Sequence, residues 1–239
     1  MKDPYLLLWL EAPLQAWGHD SKFDRRDSLD FPTKSGVLGL ICCARGAGGE
    51  QTEWLSQLNE LDMQTISYAR RDSRARGVIR QPMLRDFHMV GSGYDDQDPW
   101  QSLLSPKTNE GKKAVGGGTK MTYRYYLQDT AFAVALQVPV ALVQEVCEAL
   151  KAPTWDLYLG RKNCVPTDFI YQGVFDDCPG LFNAAAALAE SKNLEAYARI
   201  LQGEHDGEVL VLNDVPVQLG PRKTYRGRYV TVQKIISSS

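Results

Sequence analysis

The side chains best suited to chemistry in this chain of 239 residues are cations set beside aromatic rings. Tyr158-Leu159-Gly160-Arg161-Lys162 places a ring, a flexible joint and two cations together. Unpaired RNA bases stack on aromatic rings or guanidinium planes while cations take the phosphates. Tyr123-Arg124-Tyr125-Tyr126 repeats that combination. In an extended segment Arg124 and Tyr126 would share one face and Tyr123 and Tyr125 the other. The alternative is an amphipathic strand whose tyrosines are half in the core. Arg85 and His88 flank Phe87, and Arg85 has a competing role as a surface ion pair with Asp86 or another acid.

A third feature is Phe31-Pro32-Thr33-Lys34-Ser35-Gly36-Val37-Leu38-Gly39-Leu40-Ile41. Thr33 or Ser35 can cap a helix from about Ser35 to Ala44, with Val37, Leu40, Ile41 and Ala44 on one buried stripe. Gly36 and Gly39 fall on the opposite side. Each mid-helix glycine costs about 1 kcal/mol against alanine, so two together point to close approach of something to that backbone. Lys34 adds charge where free N–H groups favour an anion. These features suit a phosphodiester chain, or equally a small-residue helix packed on a sheet.

For catalysis the best candidate is His88, since a metal-independent ribonuclease needs a base near the 2′-OH and an acid at the leaving oxygen. His19 and His205 lie in charged loops, and no second acid–base residue stands at a readable spacing from His88. A hydrogen-bonding structural histidine is the preferred reading. Asp20, Asp24, Asp27 and Asp30 lack the glycine and terminal glutamate of an EF-hand loop. Gly116-Gly117-Gly118 lacks the Lys-Ser/Thr of a phosphate-binding loop. The cysteines at 42, 43, 147, 164 and 178 have no metal-ligand spacing and form no expected disulfide scaffold. No metal and no cofactor are expected.

Net charge is −2, which by itself argues against nucleic acid, but the charges are unevenly placed. Cations gather at Tyr68–Phe87, Lys107–Tyr126 and Pro221–Lys234, the last without an acid, whereas acids concentrate from Asp176 to Asp214. Such asymmetry suits one anion-binding face. Apolar content of 44% and charged content of 23% are those of a globular protein, and no apolar run reaches the roughly 20 residues of a membrane span. Met1-Lys2-Asp3-Pro4 leads straight into a strand, so no signal peptide and a cytoplasmic location are expected.

The elements that must position these residues are legible in outline. Tyr5–Leu10 reads as a buried strand, Thr52–Leu61 as a short helix, and Met63–Ala69 and Val78–Val90 as extended, the second broken by Pro82. Ala131–Val138 is a strand, followed by a helix opened by Pro139. Tyr171–Phe175, Glu208–Leu212 and Tyr225–Ile236 read as strands, and alanine-rich Leu181–Leu201 as helix. Trp17 reads as a packing anchor. The β-α-β pattern followed by a further β-α permits a ferredoxin-like domain. Gly91–Thr119 lacks periodicity, and loops that long are often functional.

Several blocks together carry a resemblance: Tyr5–Leu10, Ala12-Pro13-Leu14-Gln15-Ala16-Trp17-Gly18, Arg26, Pro32–Leu40, Leu84-Arg85-Asp86-Phe87-His88, Tyr123–Leu127, Phe132–Leu136 and Tyr158–Cys164. In order and spacing they resemble the CasD family, the Cas-five-type subunits of type I-E CRISPR surveillance complexes (Cascade). The match spans about residues 5–166 and fades from Phe175, with a weak echo around Arg226–Val230. The resemblance implies an α+β protein. Residues 1–152 would form a ferredoxin-like (RRM-like) RNA-binding domain with an inserted β-hairpin thumb at about 88–122. Residues 153–239 would form a divergent, β-containing part packed against it and not independent of it. It implies a non-catalytic subunit that grips the 5′ handle of CRISPR RNA (crRNA). The subunit would cap the foot of the backbone filament, beside a Cas-seven-type and a large Cas-eight-type subunit, and contact target DNA only indirectly. The residues carried over are Arg26 and Lys34 for phosphates, and Ser35, Gly36 and Gly39 for close backbone approach. Arg85, His88, Arg124 and Tyr126 would meet handle or thumb, and Tyr158, Arg161 and Lys162 would complete the cleft. The alternatives are a metal-independent endoribonuclease using His88, and a protein-only scaffold.

Overall fold

Leu6, Leu8, Leu10 and Ala12 point to one side of the first strand and Tyr5, Leu7 and Trp9 to the other, and all are buried. A strand covered on both faces reads as an unbroken apolar run, which is why its sequence is so legible. This strand, β1 (Tyr5–Gln15), lies inside a sheet in a computed structural model that describes residues 2–19, 21, 24–72, 77–90, 97 and 120–235. The other strands are β2 (Arg25–Arg26), β3 (Met63–Arg71), β4 (Val78–Ile79), β5 (Leu84–Val90), β6 (Lys120–Gln137), β7 (Tyr171–Phe175), β8 (Leu194–Gln202), β9 (Glu208–Gln218) and β10 (Thr224–Lys234). Among the described residues the sheet order is β7-β1-β6-β3-β8-β10-β9, and each of these neighbouring pairs is antiparallel.

Helices cover both faces. α1 (Lys34–Ala44) and α3 (Val140–Lys151) bury Val37, Leu38, Ile41, Val146 and Leu150 against the Leu6–Leu8–Leu10 side. Short α2 (Thr52–Ser56) adds Trp54 and Leu55 to that layer. On the opposite side α4 (Cys178–Ser191) packs Leu181, Ala185 and Ala189 in one cluster with Trp9 and Tyr68. β9 and β10 bring Leu212 and Val230 into the α1 layer, so the far end of the sheet packs with the first helix.

Strand β6 serves two ladders. Its later residues pair with β1, from Leu127↔Gln15 to Gln137↔Tyr5, and with β3 on the other side. Its first residues pair with β5, from Lys120↔Val90 to Tyr126↔Leu84, and with β2, as Arg25↔Tyr123 and Arg26↔Arg124. A ribbon thus continues outward from the sheet along one backbone. The segment 91–119, expected to project as a thumb, lies outside the described residues except for Gln97, and so do Arg74 and Arg76 of the basic stretch.

Two expectations are corrected. Leu181–Leu201 is helical only to Ser191. The chain then reverses at Asn193, whose φ is +56°, and Leu194–Gln202 is β8, bonded to β3 and β10. Its alanine and glutamate favour helix, but pairing on both sides overrides that weak preference. The helix expected over Thr52–Leu61 spans Thr52–Ser56 and then gives way to turns.

Candidate nucleic-acid interface

A cleft of about 420 Å³ opens beside α1. Its floor is the Gly36–Gly39–Leu40–Cys43 side of the helix. Ala16, Trp17, Gly18, Leu157, Tyr158 and Gly160 form one wall, and Leu219, Lys223 and Tyr225 the other. The volume lies within the range of ligand sites. Trp17 is buried, donates its indole N–H to Gln15 Oε1 at 3.2 Å, and is tied to Leu29 by a backbone bridge. It is the packing anchor expected, and it explains one of the two helix glycines. A Cβ at Gly36 would stand 2.8 Å from the Trp17 ring, so the group that approaches Gly36 is this indole. Gly39 differs, because nothing lies within 4 Å of where its Cβ would be, and it faces the open cleft.

The 157–164 segment is held from below by buried Leu159 and Cys164, by Leu159 N–H donating to Cys164 O at 2.8 Å, and by Ala16 N–H donating to Leu159 O at 3.1 Å. Gly160 adopts a φ of +96°, and a Cβ there would fall 1.7 Å from the Ala16 carbonyl oxygen. Only glycine combines that conformation with that contact. Tyr158 is thereby set at the cleft edge, half-buried, while Lys162 is exposed.

At the N-terminus of α1 the sequence reading is revised. Thr33 is the cap, its Oγ1 accepting from Gly36 N–H at 3.1 Å. The anion there is the chain's own Asp214, whose carboxylate accepts the Lys34 N–H at 2.7 Å. Asp214 also receives two bonds from Arg228, at 2.7 and 2.9 Å, and the side chains are only 3% and 7% exposed. Lys34, expected to meet a phosphate, is fully buried. Its ammonium donates to Asn59 O, Leu61 O and Gln202 Oε1 at 2.9, 2.5 and 3.4 Å. Burial, reinforced by the Arg228 charge, brings its pKa down from 10.5 to about 8, against the opposing pull of Asp214, Asp62 and Glu60.

Tyr126 and Arg161 are also drawn inward. Tyr126 is buried, which removes its ring as a base platform, and the Arg161 guanidinium lies 4.5 Å over it. Arg161 donates to Tyr125 O at 3.2 Å and to Arg26 O at 3.0 Å, clamping β2 to β6. The paired expectation for Arg124 and Tyr126 resolves as an alternating strand. Thr122 and Tyr126 are buried, while Met121 and Tyr123 are exposed. Arg124 is half-buried with Nε 3.4 Å from Thr122 Oγ1, and its backbone lies opposite Asp86. On the outer face Phe87 packs on Tyr123 with centroids 5.4 Å apart, and Arg85 lies 5.6 Å over the same tyrosine. Arg25 covers Tyr125 at 4.8 Å and pairs with Asp27. His88 sits on the other side of β5, with Nδ1 3.7 Å from Asp86.

The fold therefore brings Ser35, Gly36, Gly39 and Tyr158 to one cleft. Arg85, His88 and Arg124 lie on the ribbon, Arg26 on β2 beside β6, Tyr126 and Arg161 in the ribbon's supports, and Lys34 is buried at the start of α1. Lys223 and Tyr225 were not singled out from sequence. Their signal was the acid-free basic run Arg222–Lys234.

Comparison with known proteins fits this arrangement to a family. The sequence model of a family described as CRISPR-associated protein (Cas_Cas5) matches residues 5–232, and the chain belongs to that family. Within it, the chain is 32% identical over 178 residues to the CRISPR system Cascade subunit CasD of Escherichia coli (strain K12), covering 71% of this chain and 70% of that protein. Among solved structures it resembles a chain of a CRISPR RNA-guided surveillance complex, with a TM-score of 0.67 and 27% identity over 96% of this chain and 89% of that one. A second solved structure, described as a Cas protein, matches with a TM-score of 0.56 and 26% identity over 97% of this chain and 94% of that one.

Proposed function

We propose that this chain is a non-catalytic subunit of a CRISPR RNA-guided surveillance complex of the Cascade type, and that the cleft beside α1 grips the 5′ handle of its guide RNA. Membership of the family and the likeness to a chain of such a complex over nearly its whole length support the first part. The observation that carries the second is the cleft itself, where an open glycine face, hydroxyls, two tyrosines and one lysine converge from three separate segments. Unpaired RNA is held by such stacking surfaces and cations. The order β7-β1-β6-β3, with α1 following β1 and α3 following β6, supports a ferredoxin-like reading of the first part of the chain.

Ser35, Gly39 and Tyr158 would meet the handle directly, with Lys162 and Arg26 on neighbouring phosphates. Arg85, His88 and Arg124 would face handle or thumb. Lys34, Tyr126 and Arg161 contribute by holding the surfaces in place. A Cas-seven-type backbone subunit and a large Cas-eight-type subunit would flank this subunit, with target DNA approached through the assembly in the cytoplasm. Purification from cells carrying the native operon should yield an assembly containing repeat-derived guide RNA, cross-linked to this chain at the 157–162 segment. An assembly without RNA, or one whose RNA never touches this chain, overturns the reading. Incubation with repeat RNA in the absence of metal should leave it intact, and site-specific cutting abolished in His88→Ala overturns the non-catalytic role.

A further inference from the structure

The second wall of the cleft comes from the turn between β9 and β10. Leu219 N–H donates to Glu50 O at 2.9 Å. Gly220, with φ at +79°, sits so close to Gly49 that a Cβ would be 3.3 Å from its carbonyl carbon and oxygen. Behind the turn, Asp214 and Arg228 fasten the same hairpin to the start of α1. The second wall is therefore tied to the α1 side of the cleft by the chain's own bonds. At the free edge of this wall stand Lys223, exposed, and Tyr225, 38% exposed. Lys223 is the charged side chain among the described cleft-lining residues, and the facing wall carries half-buried Tyr158 beside buried Trp17.

Resting on the handle-binding reading, we infer that the β9–β10 turn is the second jaw of a nucleotide clamp. One unpaired nucleotide of single-stranded RNA enters between the walls, its base on the Tyr225 ring and its phosphate on the Lys223 ammonium, with the open Gly39 face of α1 beneath. Stacking accepts any base, while a single lysine neutralises one phosphate as a point charge. A free mononucleotide presents the same base and phosphate. The strand is the better occupant because Lys223 is the cation among the described lining residues, while Arg85 and Arg124 on the ribbon and exposed Lys162 stand outside the cleft for further phosphates.

The test uses the full chain and a short single-stranded RNA carrying the 5′ repeat segment, with affinity followed by fluorescence anisotropy across a salt series. Lys223→Ala should lower the magnitude of the log–log salt slope by about 0.7. Tyr225→Ala should weaken binding about 5- to 100-fold at fixed salt, and Tyr225→Phe should restore most of that loss. Photo-cross-links from the RNA should map to 219–225. If wild-type RNA binding is intact while both alanine variants bind as wild type and no cross-link reaches the turn, the jaw is refuted and the handle-binding reading survives. If the wild-type chain binds no RNA, both fall. A nucleoside monophosphate that competes as tightly as the strand overturns the strand as occupant.

Discussion

Replacing Lys34 by methionine tests whether its ammonium belongs to the interior or to RNA. The side chain is fully buried, and its pKa falls from 10.5 to about 8. That displacement corresponds to about 3 kcal/mol of penalty on the charged form. Below about pH 8 the ammonium is charged in both states, and the native fold carries the whole penalty. Between about pH 8 and 10.5 the unfolded chain keeps a proton that the native chain has released. More protons are then bound in the unfolded state, so stability rises with pH. Above 10.5 the penalty is gone. Lys34→Met has no such proton, so the unfolding free energy of wild type minus that of the variant should climb by about 3 kcal/mol from about pH 7 to pH 10.5. Urea unfolding followed by tryptophan fluorescence measures it, with buried Trp9 and Trp17 as reporters. Taking the difference between the two proteins removes the contributions they share. A difference that stays flat within about 1 kcal/mol across this range would mean that the ammonium reaches water, and the interior placement of Lys34 would be wrong.

Asp214→Ala should destabilise the chain by about 3–5 kcal/mol, because it leaves the Arg228 guanidinium and the Lys34 N–H buried without their carboxylate. Calorimetry should register a fall in Tm of about 10 °C, and a loss below about 1 kcal/mol would refute the capping role. Gly39→Ala should stabilise α1 by up to about 1 kcal/mol while weakening RNA binding, since its Cβ enters open cleft. Gly36→Ala should destabilise by roughly 1–3 kcal/mol by displacing Trp17. Equal effects at the two glycines would contradict the distinction drawn between them. Arg161→Ala should weaken RNA binding without changing the salt slope, because its nitrogens hold Tyr125 O and Arg26 O. A slope reduced by about 0.7 would return Arg161 to a phosphate.

Local pattern carried much of this structure. The Tyr5–Leu10 run, the stripe of α1, the break at Pro82 and the Pro139 helix start are each written in consecutive residues, and each appears within a few residues of its expected place. What escaped was decided across the chain. β8 looks helical by composition and is a strand because β3 and β10 flank it. Lysine defaults to the surface, and the oxygens that hold Lys34 inside belong to residues 59, 61 and 202. The clustering of arginine with tyrosine was visible, but not which pairs face outward. Arg85 on Tyr123 lies outside, whereas Arg161 on Tyr126 lies within. Lys223 and Tyr225 stood at the start of an alternating basic strand, and that alternation says nothing of a helix about 180 residues earlier in the chain.

Eighteen consecutive residues of β6 are shared property of four other strands. Deleting or adding one residue there would turn every following side chain to the opposite face in several pairings at once. Phe132, Val134 and Leu136 would exchange places with Ala131, Ala133 and Ala135, and the two helical layers would lose their matching surfaces together. Lineages of this chain can therefore change in length at the hairpin turns and between elements, while β6 behaves as a ruler whose graduations cannot be moved.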